Sequence, residues 1–212
     1  MFLQKLPFAL PTAALLLALP LAGCATGPRW QEEAVLFDGT SVVVERQQIL
    51  GSRFDRELSY VTLAPPVRGN LLRATLPTGK WTLEWEALGL DPQAIGRVAG
   101  VWYLSATPMR CDGYDTWGRP VPPYVFFKYA GDAWQRISVG EFPAEIAKRN
   151  LTCWGSGDHR SAVAGGFIST DQARKLNPRL PDYVNNVYRS GTIWEWDDCK
   201  RRLEVLDRNK KR

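Results

Sequence analysis

The stretch from Lys80 to Ala87 constrains this chain more than any other. Trp81, Leu83, Trp85 and Ala87 alternate with Thr82, Glu84 and Glu86, a period of two that suits an extended strand with one buried and one wet face. Turn signals recur at strand-length intervals around it. Asp38-Gly39-Thr40 separates Val35-Leu36-Phe37 from Val42-Val43-Val44, with Asp-Gly suited to the positive φ angles of a tight turn. Leu58 to Leu63 reads as a strand ended by Pro65-Pro66, and Pro77-Thr78-Gly79 turns Leu71–Leu76 into Lys80–Ala87. Val98 to Leu104 is almost wholly apolar and reads as one central strand. Tyr124–Tyr129, a turn at Gly131-Asp132 and Ala133–Val139 complete the pattern. Residues 33–140 thus predict a mainly β fold: an antiparallel sheet, sandwich or open barrel-like, with a few short helices.

Helical signals come late. Phe142 to Arg149 reads as a short helix entered through Pro143. Ser169-Thr170-Asp171-Gln172 matches a capping box, and Pro178 ends the helix that follows. From Thr192 as N-cap, Ile193, Trp196, Cys199, Leu203 and Leu206 form one apolar stripe at three- and four-residue spacing. That spacing predicts a C-terminal amphipathic helix.

At 212 residues the chain fits one domain, and 45% hydrophobic with 23% charged residues is enough to fill a core. The net charge of +5 first suggests an acidic partner. Its distribution argues otherwise. Lys200–Arg212 holds seven basic and two acidic side chains, so this short segment accounts for the whole excess. A nucleic-acid footprint should spread over a folded face instead. A single His excludes any metal site built on two imidazoles.

The front of the chain carries a processing signal. Met1 to Lys5 is short and basic, Leu6 to Leu19 is apolar but interrupted by Pro7 and Pro11, and Leu21-Ala22-Gly23-Cys24 follows. This run is short for a membrane span and ends in the small residues a signal peptidase accepts. Leu21-Ala22-Gly23-Cys24 resembles the lipobox of bacterial lipoproteins. The resemblance implies that residues 1–23 are a signal peptide and that Cys24 becomes the N-terminus, acylated with chains such as palmitate. Ala25 after the cysteine, where Asp would favour the inner membrane, points to an outer-membrane protein facing the periplasm. A second resemblance is local. Pro122-Pro123-Tyr124-Val125-Phe126-Phe127-Lys128-Tyr129, with Trp134-Gln135-Arg136-Ile137 and Glu141-Phe142-Pro143, is similar to a segment of uncharacterised proteobacterial envelope proteins, and it implies no activity. The expected organisation is signal peptide 1–23, lipidated Cys and tether 24–30, β-rich domain 31–191, and helix with basic tail 192–212. Without its leader and Lys5 the chain has 189 residues and a net charge of +4.

With Cys24 assigned to lipid, Cys111, Cys153 and Cys199 remain. An oxidising compartment favours one disulfide among three possible pairings. Cys199 lies on an apolar helix stripe, where a free thiol behaves as a small hydrophobe. Cys111 and Cys153 lie in turn-rich surroundings, and Cys111–Cys153 is the expected bridge.

Candidate chemistry is sparse. Cys153-Trp154-Gly155-Ser156-Gly157-Asp158-His159-Arg160 gathers a thiol, a hydroxyl, a carboxylate and the one imidazole. Neighbours on one loop do not make a triad, which converges from separate elements, and Gly155-Ser156-Gly157 is not a nucleophile elbow. Asp112, Asp115 and Asp132 lack calcium-loop spacing and read as turn formers. Glu84 and Glu86 share a strand face, the arrangement of a glycosidase pair, yet their alternation with Trp and Leu marks a solvated face. The connection from Ser105 to Pro123 carries Tyr114 and Trp117 among polar and turn residues, and aromatic side chains there suit stacking on a partner. Tyr114, Trp117 and His159 are therefore the candidate binding residues, with no catalytic residue, no metal ligand and no cofactor assigned. The expected function is a lipid-anchored envelope protein that binds another envelope protein or a glycan, or serves structurally. Nucleic acid is excluded as a partner. The alternative is a small periplasmic hydrolase using the Cys153–His159 loop.

Overall fold

The computed structural model describes residues 26–52, 54–55, 60–61, 65–75, 82–152 and 162–176, together with Cys199, Arg201, Glu204 and Arg208. The chain forms β1 (Thr26–Val35), β2 (Ser41–Leu50), β3 (Phe54–Asp55), β4 (Tyr60–Val61), β5 (Val67–Thr75), β6 (Thr82–Leu88), β7 (Leu90–Val98) and β8 (Val101–Pro108). Then come α1 (Arg110–Thr116), β9 (Val125–Ala130), β10 (Ala133–Ile137), β11 (Phe167–Ile168) and α2 (Thr170–Leu176). One sheet has the order β11-β1-β2-β5-β6, a second β10-β9-β8-β7, and β3-β4 stand as a small pair. Every pairing is antiparallel except β1 with β11. The fold is mainly β, as the strand periodicity predicts, and the sheets do not close into a barrel.

Gly89 is the corner between the sheets. Its φ of +73° lets β6 run directly into β7 at an angle that L side chains resist. Gly89 N donates to Arg68 O (2.6 Å) and Gly89 O accepts from Met109 N (2.7 Å), so the corner is held from both sides. The strand pattern then buries alternate residues of both sheets against each other. Ala34, Val42, Val44, Leu72, Leu83, Trp85, Ile95, Trp102, Leu104 and Phe127 share one core. Within β6, Leu83, Trp85 and Ala87 are buried, whereas Glu84, Glu86 and Leu88 are exposed.

Far from the corner, Asn150 joins the sheets through its side chain. Its Oδ1 accepts from Ile95 N (2.9 Å), and its Nδ2 donates to Ile95 O (2.8 Å) and Val35 O (2.9 Å). An amide that mimics the next strand's backbone thus covers the edge of β7. Pro92 sits on this same strand beside a register irregularity between Pro92 and Ala94, where an edge position spares a ladder donor.

Several local expectations change. Val98–Leu104 is two strands, because Ala99 and Gly100 (φ +48° and +82°) make a two-residue turn of the kind that matches strand twist. Phe142–Arg149 is a series of turns rather than a helix; Phe142 and Ile146 are used instead to cover the outer face of β9 with Tyr124 and Phe126. The tether expected over 24–30 is strand already from Thr26, and Trp30 is buried. The turn at Gly131-Asp132 and the capping box at Ser169 form as expected. Ser169 N donates to Gln172 Oε1 (2.9 Å) and Gln172 N to Ser169 Oγ (3.3 Å). Leu58–Leu63 is described only at Tyr60–Val61, and of the C-terminal helix Cys199, Arg201, Glu204 and Arg208 are helical. Among the described residues no helix is long and apolar enough to cross a membrane.

Candidate functional site

The Ser105–Pro123 connection does not present an aromatic platform. Its middle folds into α1, and Gly113 lets that helix lie against the corner: a Cβ there would stand 2.5 Å from Gly89 O. The close approach turns Tyr114 inward, where its exposure is 0%. Trp117 is half-buried against the core; its Nε1 donates to Leu88 O (2.8 Å) and its ring meets Phe127 edge-on at 5.9 Å. Tyr114 is thus excluded from a binding surface, and Trp117 is committed mainly to packing. His159 lies outside the described residues, as does Cys153.

The disulfide is Cys111–Cys199, not Cys111–Cys153. The two Cα atoms lie 5.2 Å apart, a separation a disulfide spans without moving the backbone. Cys199, read as a free thiol on an apolar stripe, is buried as half of a bridge instead, with Tyr114 packed beside it.

The carboxylates singled out in the sequence have local duties. Glu84 accepts from Arg73 Nε (2.7 Å) on the solvated sheet face. Asp112 pairs with Arg68 and accepts from Gly113 N (2.9 Å), Asp115 accepts from Arg119 Nε (2.8 Å), and Asp132 occupies a positive-φ turn. Among the described residues no three His, Cys, Asp or Glu side chains are placed to hold a metal.

Two features were not legible in the sequence. The first is a buried polar cluster on the inner face. Arg46 NH1 donates to Glu32 Oε1 (3.0 Å) and Thr152 O (2.6 Å), while its NH2 donates to Asp91 Oδ1 (2.8 Å). Glu32 Oε2 accepts from Thr152 N (3.1 Å) and from the Thr152 hydroxyl. Gln93 Nε2 donates to Asp91 Oδ2 (3.1 Å), and the Trp30 ring lies 5.0 Å from the guanidinium. β1, β2, β7 and the 150–152 segment each supply one part. Alternation hinted at it, because Glu32, Arg46 and Gln48 fall on the buried phase of their strands. The cluster pins Thr152, the residue before Cys153. Its carboxylates share the Arg46 guanidinium across strands of both sheets, which makes the cluster a clamp between them.

The second is a groove of about 430 Å³. Val35, Leu36, Phe37 and Ile95 line it from the end of β1 and from β7, Ile146 and Asn150 from the covering segment, and Ala173 from α2. Lys148, Arg149 and Arg174 give it a cationic margin, with Glu33 and Glu145 opposite in charge. Glu33 receives the Thr170 hydroxyl (2.8 Å) and backbone N–H (3.3 Å). These hydrogen bonds, the hydroxyl first, and a weaker one from Ser41 hold its carboxyl below the usual range and keep it ionised. The groove is thus apolar within, at Val35, Phe37, Ile95 and Ile146, and charged at its margin.

No protein-family model, curated protein or solved structure matches this chain.

Proposed function

We propose that this chain is a lipid-anchored protein of the bacterial cell envelope, held by acylated Cys24 in the outer membrane facing the periplasm, and that it acts there as a non-catalytic binding or structural module. The observation that carries the reading is the continuity of Leu21-Ala22-Gly23-Cys24 with the fold. β1 starts at Thr26, two residues beyond the cysteine, so an anchored domain would rest against the bilayer with almost no tether. The Cys111–Cys199 bridge supports an oxidising compartment. At about 3.3 Å per residue, β1 carries its far end roughly 30 Å from Cys24. There the groove beside Val35 and Phe37 would face away from the lipid. Burial of Tyr114 and packing of Trp117 take these two aromatics out of a glycan-stacking role, and the apolar groove beside Val35 and Phe37 favours a protein partner.

The test is Cys24→Ala in the full chain, followed by fractionation. The variant should keep an uncleaved leader and leave the outer-membrane fraction. If it is processed and still fractionates with the outer membrane, the reading is wrong.

A further inference from the structure

We infer that the basic C-terminal helix is stapled at the lipid-anchored pole of the domain, where it docks on the anionic headgroup phosphates of the membrane that holds Cys24. The inference rests on the anchor proposed above and adds a second, electrostatic attachment.

The placement follows from strand register. Thr26 pairs with Ile49, Ile49 with Gly69, and Gly69 with Leu88, forming one row across the sheet. Three strand spacings put Leu88 about 15 Å from Thr26. Leu88 is 59% exposed, an apolar side chain at the same end of the sheet as the anchor. Gly89 follows, α1 lies on it through Gly113, and Cys111 of α1 is bonded to Cys199. Cys199 therefore lies at the pole that holds Thr26, although the two positions are 173 apart in sequence.

The charge is arranged to match. Cys199 is buried toward α1, whereas helical Arg201, Glu204 and Arg208 are all exposed. Their spacing puts those three on the face opposite the bridge. Seven basic and two acidic side chains lie within Lys200–Arg212, and the rest of the chain after the leader sums to −1. A near-neutral domain with its whole positive excess beside a lipid anchor has the two-signal form that stable attachment to anionic membranes uses. The bridge keeps the tail within reach of the surface, raising its effective concentration there.

The experiment uses the acylated chain, residues 24–212, with vesicles of phosphatidylcholine alone and vesicles that also contain phosphatidylglycerol. Partition into the neutral vesicles reads the anchor by itself. The rate of tryptic cleavage within Lys200–Arg212 reads the tail. Cleavage should be at least about tenfold slower on the anionic vesicles, and the difference should vanish at about 1 M salt, where screening acts within about 3 Å. Arg201→Glu with Arg208→Glu should remove most of the protection, and Cys199→Ser should reduce it while leaving the tail's charge intact. Equal cleavage rates on both vesicles, or protection that salt leaves unchanged, overturns the inference, the latter pointing to apolar insertion into the bilayer rather than a headgroup contact. Failure to partition into neutral vesicles overturns the anchor instead, and the two cleavage rates still decide the tail.

Discussion

Arg46 is the residue on which most of the interior electrostatics depends. Its guanidinium answers two carboxylates and one carbonyl while only 1% of its side chain meets solvent. Arg46→Ala should cost about 3–5 kcal/mol, because it strands Glu32 and Asp91 without their shared cation. Urea unfolding would measure this, and a loss below about 1 kcal/mol would show that the cluster is not a clamp. Gly113 is the second sensitive position. Gly113→Ala must push the helix off Gly89 and should cost about 1–3 kcal/mol, whereas Gly118→Ala, with nothing near its Cβ position, meets only the strain of its positive φ. Neither role could be read from the sequence. A charged residue on a buried phase looks like a break in the pattern until its partners on β1 and β7 are known. A glycine in a turn-rich stretch gives no sign that another backbone lies against it.

At the level of elements, strands with clean alternation or glycine turns were legible, and elements shaped by tertiary contacts were not. β6 and the β9–β10 hairpin follow directly from period two and from Gly131-Asp132. The β7–β8 turn escaped because Ala99 takes a positive φ that Ala seldom adopts, inside an otherwise unbroken apolar run. Phe142 and Ile146 have helical spacing, yet covering β9 leaves them in turns. α1 lacks a side-chain N-cap bond and has glycine at its centre, so local propensity never announces it. α2, by contrast, is announced by its capping box and docks through Glu33. The folded pKa of Glu33 is lowered from about 4.5, so its contribution is complete above that value and fades as pH falls through the folded pKa. Thermal melts of the native chain and Glu33→Gln should differ at pH 6 and converge in acid. A gap that persists unchanged into acid would contradict the Thr170 contact.

The molecule as a whole has two poles. One gathers Thr26, Leu88, α1 and the bridged start of the basic helix; the other carries the groove beside Val35 and Phe37. The bridge joins positions 88 residues apart, so reducing it should cost about 4–5 kcal/mol by the loop-entropy relation. Non-reducing peptide mapping should recover Cys111 linked to Cys199 and no peptide linking Cys111 to Cys153. This long-range organisation was invisible in sequence, since a charge count locates the basic excess along the chain but not in space. The resemblance to a lipobox at Leu21-Ala22-Gly23-Cys24 lies outside the described residues, and the proposed orientation of the two poles depends on it. Intact-mass and N-terminal peptide analysis of the membrane-extracted protein tests it most directly. A lipobox requires a chain that begins at Cys24 and carries fatty-acyl mass on that residue. A chain that retains residues before Cys24, or begins there without added mass, would contradict it.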